Sequence, residues 1–140
     1  MQLVIPDFPN THFEPFIITS PQTTFYNCIA WAFGDDSKWY WPDPDDMAYW
    51  PPNISRTVDI NSFIELYNLI GYNVCQSPVL ETGFEKIAIF VDSNNIPTHA
   101  ARQVASGLWT SKLGMEYDIQ HTLASMNNGV YGVARVFMSR

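Results

Sequence analysis

Basic residues are scarce: seven lysines and arginines, set singly along the chain, stand against fourteen acids, for a formal net charge of −7. Nucleic-acid recognition neutralises phosphates with clustered lysine and arginine, so that class of partner is excluded, and an anionic membrane surface is disfavoured for the same reason. Cysteine is nearly as rare. With only Cys28 and Cys75, and with His12, His99 and His121 at no ligand spacing to them, neither a disulfide framework nor a metal site is expected, and no cofactor. The start of the chain lacks a basic segment, and Met1-Gln2-Leu3-Val4-Ile5 breaks at Pro6, so no export signal is read there. The longest stretch free of acids and bases, Pro15 to Gly34, holds Gln22, Asn27 and four hydroxyl residues before Tyr26, too polar to span a bilayer. A cytoplasmic protein with free thiols is expected; delivery by another secretion route, as for an effector or toxin domain, stays open.

What is present suffices for one core. Hydrophobic residues make up 46%, so residues 1–140 are expected to form a single domain. Aromatics reach 15%, and all ten prolines precede residue 100, which points to an α+β fold with long, stiff loops. Residues 1–22, with Pro6, Pro9, Pro15 and Pro21, read as an extended arm. Asn27 is a good N-cap for a short helix that carries Ile29, Ala32 and Phe33 on one face and stops at Gly34, placing Cys28 in its first turn. There the helix dipole favours a thiolate. Residues 35–58 form an acidic and aromatic loop, and Asp59 caps the clearest helix, which ends at Gly71. Strands are expected over 72–76, 86–92, 98–104, 108–113 and 130–138, with a further helix over 118–126.

A cysteine on a helix start and a histidine opening a later strand can bring a nucleophile and a general base together, with a third polar group fixing the ring. His99 follows the turn Asn94-Asn95-Ile96-Pro97-Thr98, and small residues after it leave room for a partner. For Cys75, in mid-strand, a core position is expected; His12 reads as a surface residue. Trp39, Tyr40, Trp41, Tyr49 and Trp50 are candidates for a groove wall or lid beside the thiol, with Trp31 and Trp109 as further substrate-binding candidates; the alternative is that the loop aromatics cover the core.

With Asn27-Cys28 opening a helix, Thr98-His99-Ala100 opening a strand and Trp109-Thr110-Ser111-Lys112-Leu113-Gly114 on the next, the chain resembles the papain-like superfamily, especially its NlpC-like and CHAP-like branches. It also resembles small bacterial domains with an Asn-Cys-Ile-Ala-Trp-Ala core and a His-Ala-Ala-Arg strand. The resemblance, over residues 22–135, implies a papain-like core in which the helix carrying the cysteine packs on a mainly antiparallel sheet. It implies Cys28 as nucleophile and His99 as base, in a cysteine peptidase, amidase or deamidase acting on a protein or peptide substrate. For the third member the family pattern leaves His121, Ser111, Asp118 and Gln103, with His121 ahead of Ser111; no Asn or Asp lies within that strand. Gln22, six residues before Cys28, matches the spacing of an oxyanion-hole glutamine, and Asn27 is a further orienting candidate. The alternative is an idle papain-like module that grips a protein partner through its acidic aromatic loop.

Overall fold

Alternation governs the sheet. In a computed structural model, which describes Phe8 and residues 16–20, 26–113 and 118–140, the apolar run Lys86–Val91 becomes an inner strand whose side chains are buried on both faces. The elements run β1 (Phe16–Ser20), α1 (Cys28–Phe33), α2 (Ile60–Asn68), β2 (Asn73–Cys75), β3 (Lys86–Val91), β4 (Pro97–Gln103), β5 (Trp109–Lys112), β6 (Asp118–His121), α3 (Leu123–Met126) and β7 (Val133–Ser139). All seven strands form one sheet in the order β1-β6-β5-β4-β3-β7-β2, and every neighbouring pair is antiparallel. The molecule is thus an α+β protein with a mainly antiparallel sheet and few helices.

Successive residues of β3 and β4 feed two cores. Ile87, Ile89 and Ala100 join Cys28, Ile29 and Phe63 under α1 and α2, whereas Ala88, Phe90 and Ala101 join Trp109, Ile119 and Met126 on the opposite face. The helix starts follow their caps. The Asp59 side chain accepts from Ser62 N at 2.8 Å, and at the end of α1 Gly34 takes the left-handed φ of 94° that closes the helix.

Two expectations are corrected here. The arm contains a strand, β1, which pairs with β6. The segment expected as a helix over 118–126 divides: Asp118–His121 is a strand held between β1 and β5, and only Leu123–Met126 is helical, capped by Thr122. Two flanking strands satisfy the backbone of residues 118–121, which outweighs the helical spacing of Ile119, Leu123 and Met126. Among the described residues no helix is long and apolar enough to cross a membrane.

Candidate active site

Asn27 fixes the position of Cys28. Its side-chain oxygen accepts from the N–H groups of Ala30 and Tyr40, both at 3.1 Å, and its Nδ2 donates to the Tyr40 carbonyl at 2.7 Å. One amide therefore caps α1 and ties the aromatic loop to it. Asn27→Ala should cost about 1–2 kcal/mol, because a cap is lost and a buried loop carbonyl is left without its donor. A lower urea midpoint at unchanged m-value would show this; an unmoved midpoint would mean that the loop holds without the tie.

Cys28 is 5% exposed. The backbone N–H groups of Ala100, Ile29 and Cys28 itself, with the Lys112 ammonium on β5, favour its thiolate. Burial outweighs these donors and pushes the thiol up to about 11. The expectation of a depressed thiol is overturned, since six residues of helix do not offset desolvation on an apolar face. Both cysteines are free, and Cys75 is half-buried on the edge strand rather than in the core, its sulfur 3.5 Å from the Ser77 carbonyl.

The histidines form a chain through Ser111. His99 Nε2 lies 2.9 Å from Ser111 Oγ, Ser111 Oγ 2.7 Å from His121 Nε2, and His121 Nδ1 2.6 Å from the Thr122 carbonyl. All three side chains are buried. Proton positions follow from the end of the chain. The Thr122 carbonyl can only accept, so His121 Nδ1 carries the proton and its Nε2 accepts from the Ser111 hydroxyl. Ser111 Oγ then accepts from His99 Nε2–H, which leaves a bare lone pair on His99 Nδ1. Burial, reinforced by His121, holds His99 well below its ordinary range, and burial lowers His121 to about 4 despite its bond to Thr122. Both rings are neutral, as this proton order requires.

His99 Nδ1 has no hydrogen-bond partner among the described residues, so the Cys28 thiol does not bond to it directly. The ladder sets His99 opposite Phe90 and Ala100 opposite Ile89, so Ala100 shares the face of Cys28 while His99 leaves the strand on the other side. What connects them is the backbone: Ala100, the residue after His99, packs in the same core as Cys28, and its N–H favours the thiolate. Tyr131 bridges the two regions. It stacks on the His99 ring at 4.1 Å between centroids and 8° between planes, and it lines the same cavity as Cys28. Gly132 makes this approach possible, for at its φ of 84° a Cβ would stand 2.0 Å from the Val91 carbonyl oxygen.

That cavity, of about 420 Å³, is lined at its base by Asn27, Cys28, Thr98 and Tyr131. Trp39, Trp41, Asp43 and Ala48 close it from the loop. Of the tryptophans expected at a groove, Trp39 and Trp41 reach it. Trp50 is buried against Phe63 with its Nε1 on the Ser55 carbonyl, Trp31 stacks on Tyr26 beneath the Arg102 guanidinium, and Trp109 belongs to the opposite core. Thr98 and Tyr131 went unread in the sequence as cavity residues; an aromatic beside a turn glycine, as in Tyr131-Gly132, is the one local signal that pointed there.

The third-member candidates are also sorted. Ser111 touches His99, and His121 reaches His99 only through Ser111. Asp118 faces the other side of the sheet and accepts from the Tyr26 hydroxyl at 2.6 Å, while Gln103 donates to the Pro78 and Gly107 carbonyls. Neither meets His99. Gln22 and His12 lie outside the described residues. Among the described residues no three His, Cys, Asp or Glu side chains converge where a metal ion could be held.

No curated protein and no solved structure matches the chain. A family model does, over residues 17–139, which include Cys28, His99, Ser111 and His121. The chain belongs to that family, DUF7689, a domain of unknown function.

Proposed function

We propose that this domain is a cysteine-dependent hydrolase or acyltransferase acting on an amide bond, with a papain-like core, Cys28 as nucleophile and His99 as general base. The observation that carries the reading is the proton order along Thr122, His121, Ser111 and His99, which leaves an unprotonated Nδ1, without a partner among the described residues, on the strand whose next residue, Ala100, packs in the same core as Cys28. A buried lone pair with no donor is costly for a merely structural histidine and useful for a base.

With the thiol raised and the imidazole lowered, no thiolate–imidazolium pair exists at rest. In the proposed reaction the sulfur attacks a carbonyl carbon while its proton reaches His99 Nδ1 through an intervening water, a relay the reading requires because His99 leaves its strand on the face away from Cys28. Collapse of the tetrahedral intermediate expels the amine, which takes the proton from His99. Water or a second amine then cleaves the thioester. Ser111 and His121 keep the ring in the tautomer that can accept.

The test is acylation by p-nitrophenyl acetate. A burst of nitrophenolate equal to the protein present, with an acetyl mass adduct on Cys28 that is absent from Cys28→Ala, supports the reading; no burst and no adduct at any substrate concentration overturns it. A second reading, an idle thiol in a domain that binds a protein through residues 35–58, draws on the burial of Cys28 and the absence of a direct thiol–imidazole bond. It gains if the burst is missing.

A further inference from the structure

Beyond the two reacting side chains, the cavity over Cys28 has a chemical preference written into its walls. Its loop side offers two indoles, Trp39 and Trp41, and its base a phenol, Tyr131; Asp43 is the one acidic or basic side chain lining it. Rings in such a setting bind either an apolar group or a cation, and the carboxylate decides between them. A cation compensates the charge of the partly exposed Asp43 carboxylate and meets the negative faces of the rings, which an apolar occupant does not do.

Asp43 is also held in place. Its two oxygens accept from the N–H groups of Asp45 and Met47, at 3.0 and 3.1 Å, which fixes the carboxylate while each oxygen keeps a further lone pair. The cations nearby are committed elsewhere: Arg56 bonds to the Asp46 carboxylate and to the Asp43 and Ala48 carbonyls, and Lys38 lies over the Tyr49 ring beside Asp35. The chain already uses cation–aromatic packing inside itself, as in Arg102 on Trp31 and Arg140 on Tyr72, so its rings have partners of this kind. The loop that holds Asp43 also carries Asp35, Asp36, Asp45 and Asp46 in its sequence, of which Asp35 and Asp46 are paired with Lys38 and Arg56.

We infer that the cavity takes a lysine-type side chain, a primary ammonium on an alkyl stem, belonging to the acyl residue whose carbonyl Cys28 attacks. This deepens the reading of Cys28 as an amide-directed nucleophile and rests on it. The alkyl stem lies against Trp39 and Trp41, and the ammonium is held near Asp43. The volume, about 420 Å³, is within the range usual for small-molecule sites and admits a side chain with its adjoining amide.

The experiment has two arms. In the first, pre-steady-state acylation is compared for the p-nitrophenyl esters of N-acetyl-lysine and N-acetyl-norleucine, which differ at the chain end by a charge. The lysine ester should acylate roughly tenfold faster, and the ratio should fall to about one in Asp43→Asn and in Trp39→Leu, a comparison that general damage to the fold does not mimic. In the second arm, Cys28→Ala protein is titrated with the N-methylamides of the same two amino acids, and binding is read from tryptophan fluorescence. Preference for lysine there, with no acylation by any ester, keeps the cavity assignment and sinks the catalytic one. Acylation without preference, with equal binding of the two amides, sinks the lysine assignment and leaves the catalytic one standing.

Discussion

His99→Ala should slow acylation of Cys28 by about 10³-fold near pH 7, the size expected when a positioned general base is removed. The pH profile makes the result diagnostic. In the wild-type protein the base is already neutral and the thiol titrates at about 11, so the rate should be flat through the neutral range and decline only in acid, where His99 takes a proton. Without the imidazole, attack awaits ionisation of the thiol by solvent. The variant's rate should then climb about tenfold per pH unit, and the two curves should close on each other toward pH 11. Ser111→Ala should fall between, losing about 10- to 100-fold, because the ring keeps its base but not its tautomer and orientation. Parallel profiles for wild type and His99→Ala, offset or not, would remove His99 from the chemistry.

Acid should unfold the protein early. His99 and His121 are buried neutral, both lowered from 6.5, and His121 to about 4. A histidine whose folded pKa lies below its unfolded one adds no penalty above 6.5; as the pH falls from there, the unfolded chain takes up protons that the folded chain refuses. Stability is therefore present near pH 7 and is lost between about 6.5 and 4, by roughly 3 kcal/mol from His121, with His99 acting in the same direction. Carboxylates do not imitate this. Asp35 and Asp59 are lowered from 3.8, so what they contribute is lost below that window. Urea midpoints at pH 7.5, 6.5, 5.5 and 4.5 should trace the fall. His121→Gln, whose amide can accept from Ser111 and donate to Thr122, should flatten part of it. Equal slopes in the two proteins would mean that the acid sensitivity lies elsewhere.

Local chemistry was readable where one residue decides the outcome. Asn27 and Asp59 announce their helices because an N-cap is a contact within one turn, and Gly34 announces an end because few other residues accept its φ. What needed register was hidden. Ser111 and His121 read as rival third members, because nothing in the spacing of two short strands shows that β5 lies between the strands that carry His99 and His121. β6 was masked by its own composition, since Ile119, Leu123 and Met126 suit a helix as well as a strand followed by a turn. Lys86 and Lys112 were missed differently: a lysine predicts exposure, yet both are fully buried, Lys86 against the Glu81 carboxylate and the Ser77 carbonyl. In the aromatic loop, no periodicity tells Trp41, which lines the cavity, from Trp50, which props up the core.

The bond from Tyr26 to Asp118 spans 92 positions and joins the segment entering α1 to the strand that ends in His121. A contact of that separation closes a long loop, an entropic cost met only after nearer pairings such as β3 with β4 have formed. The histidine chain is thus completed by contacts between distant parts of the sequence. An incomplete chain, still being synthesised or clipped before β6, carries Cys28, His99 and Ser111 but lacks His121, the ring whose bond to Ser111 fixes the proton on His99. On the proposed reading, a base with its proton correctly placed exists only once β6 has docked, so reactivity would certify completed folding.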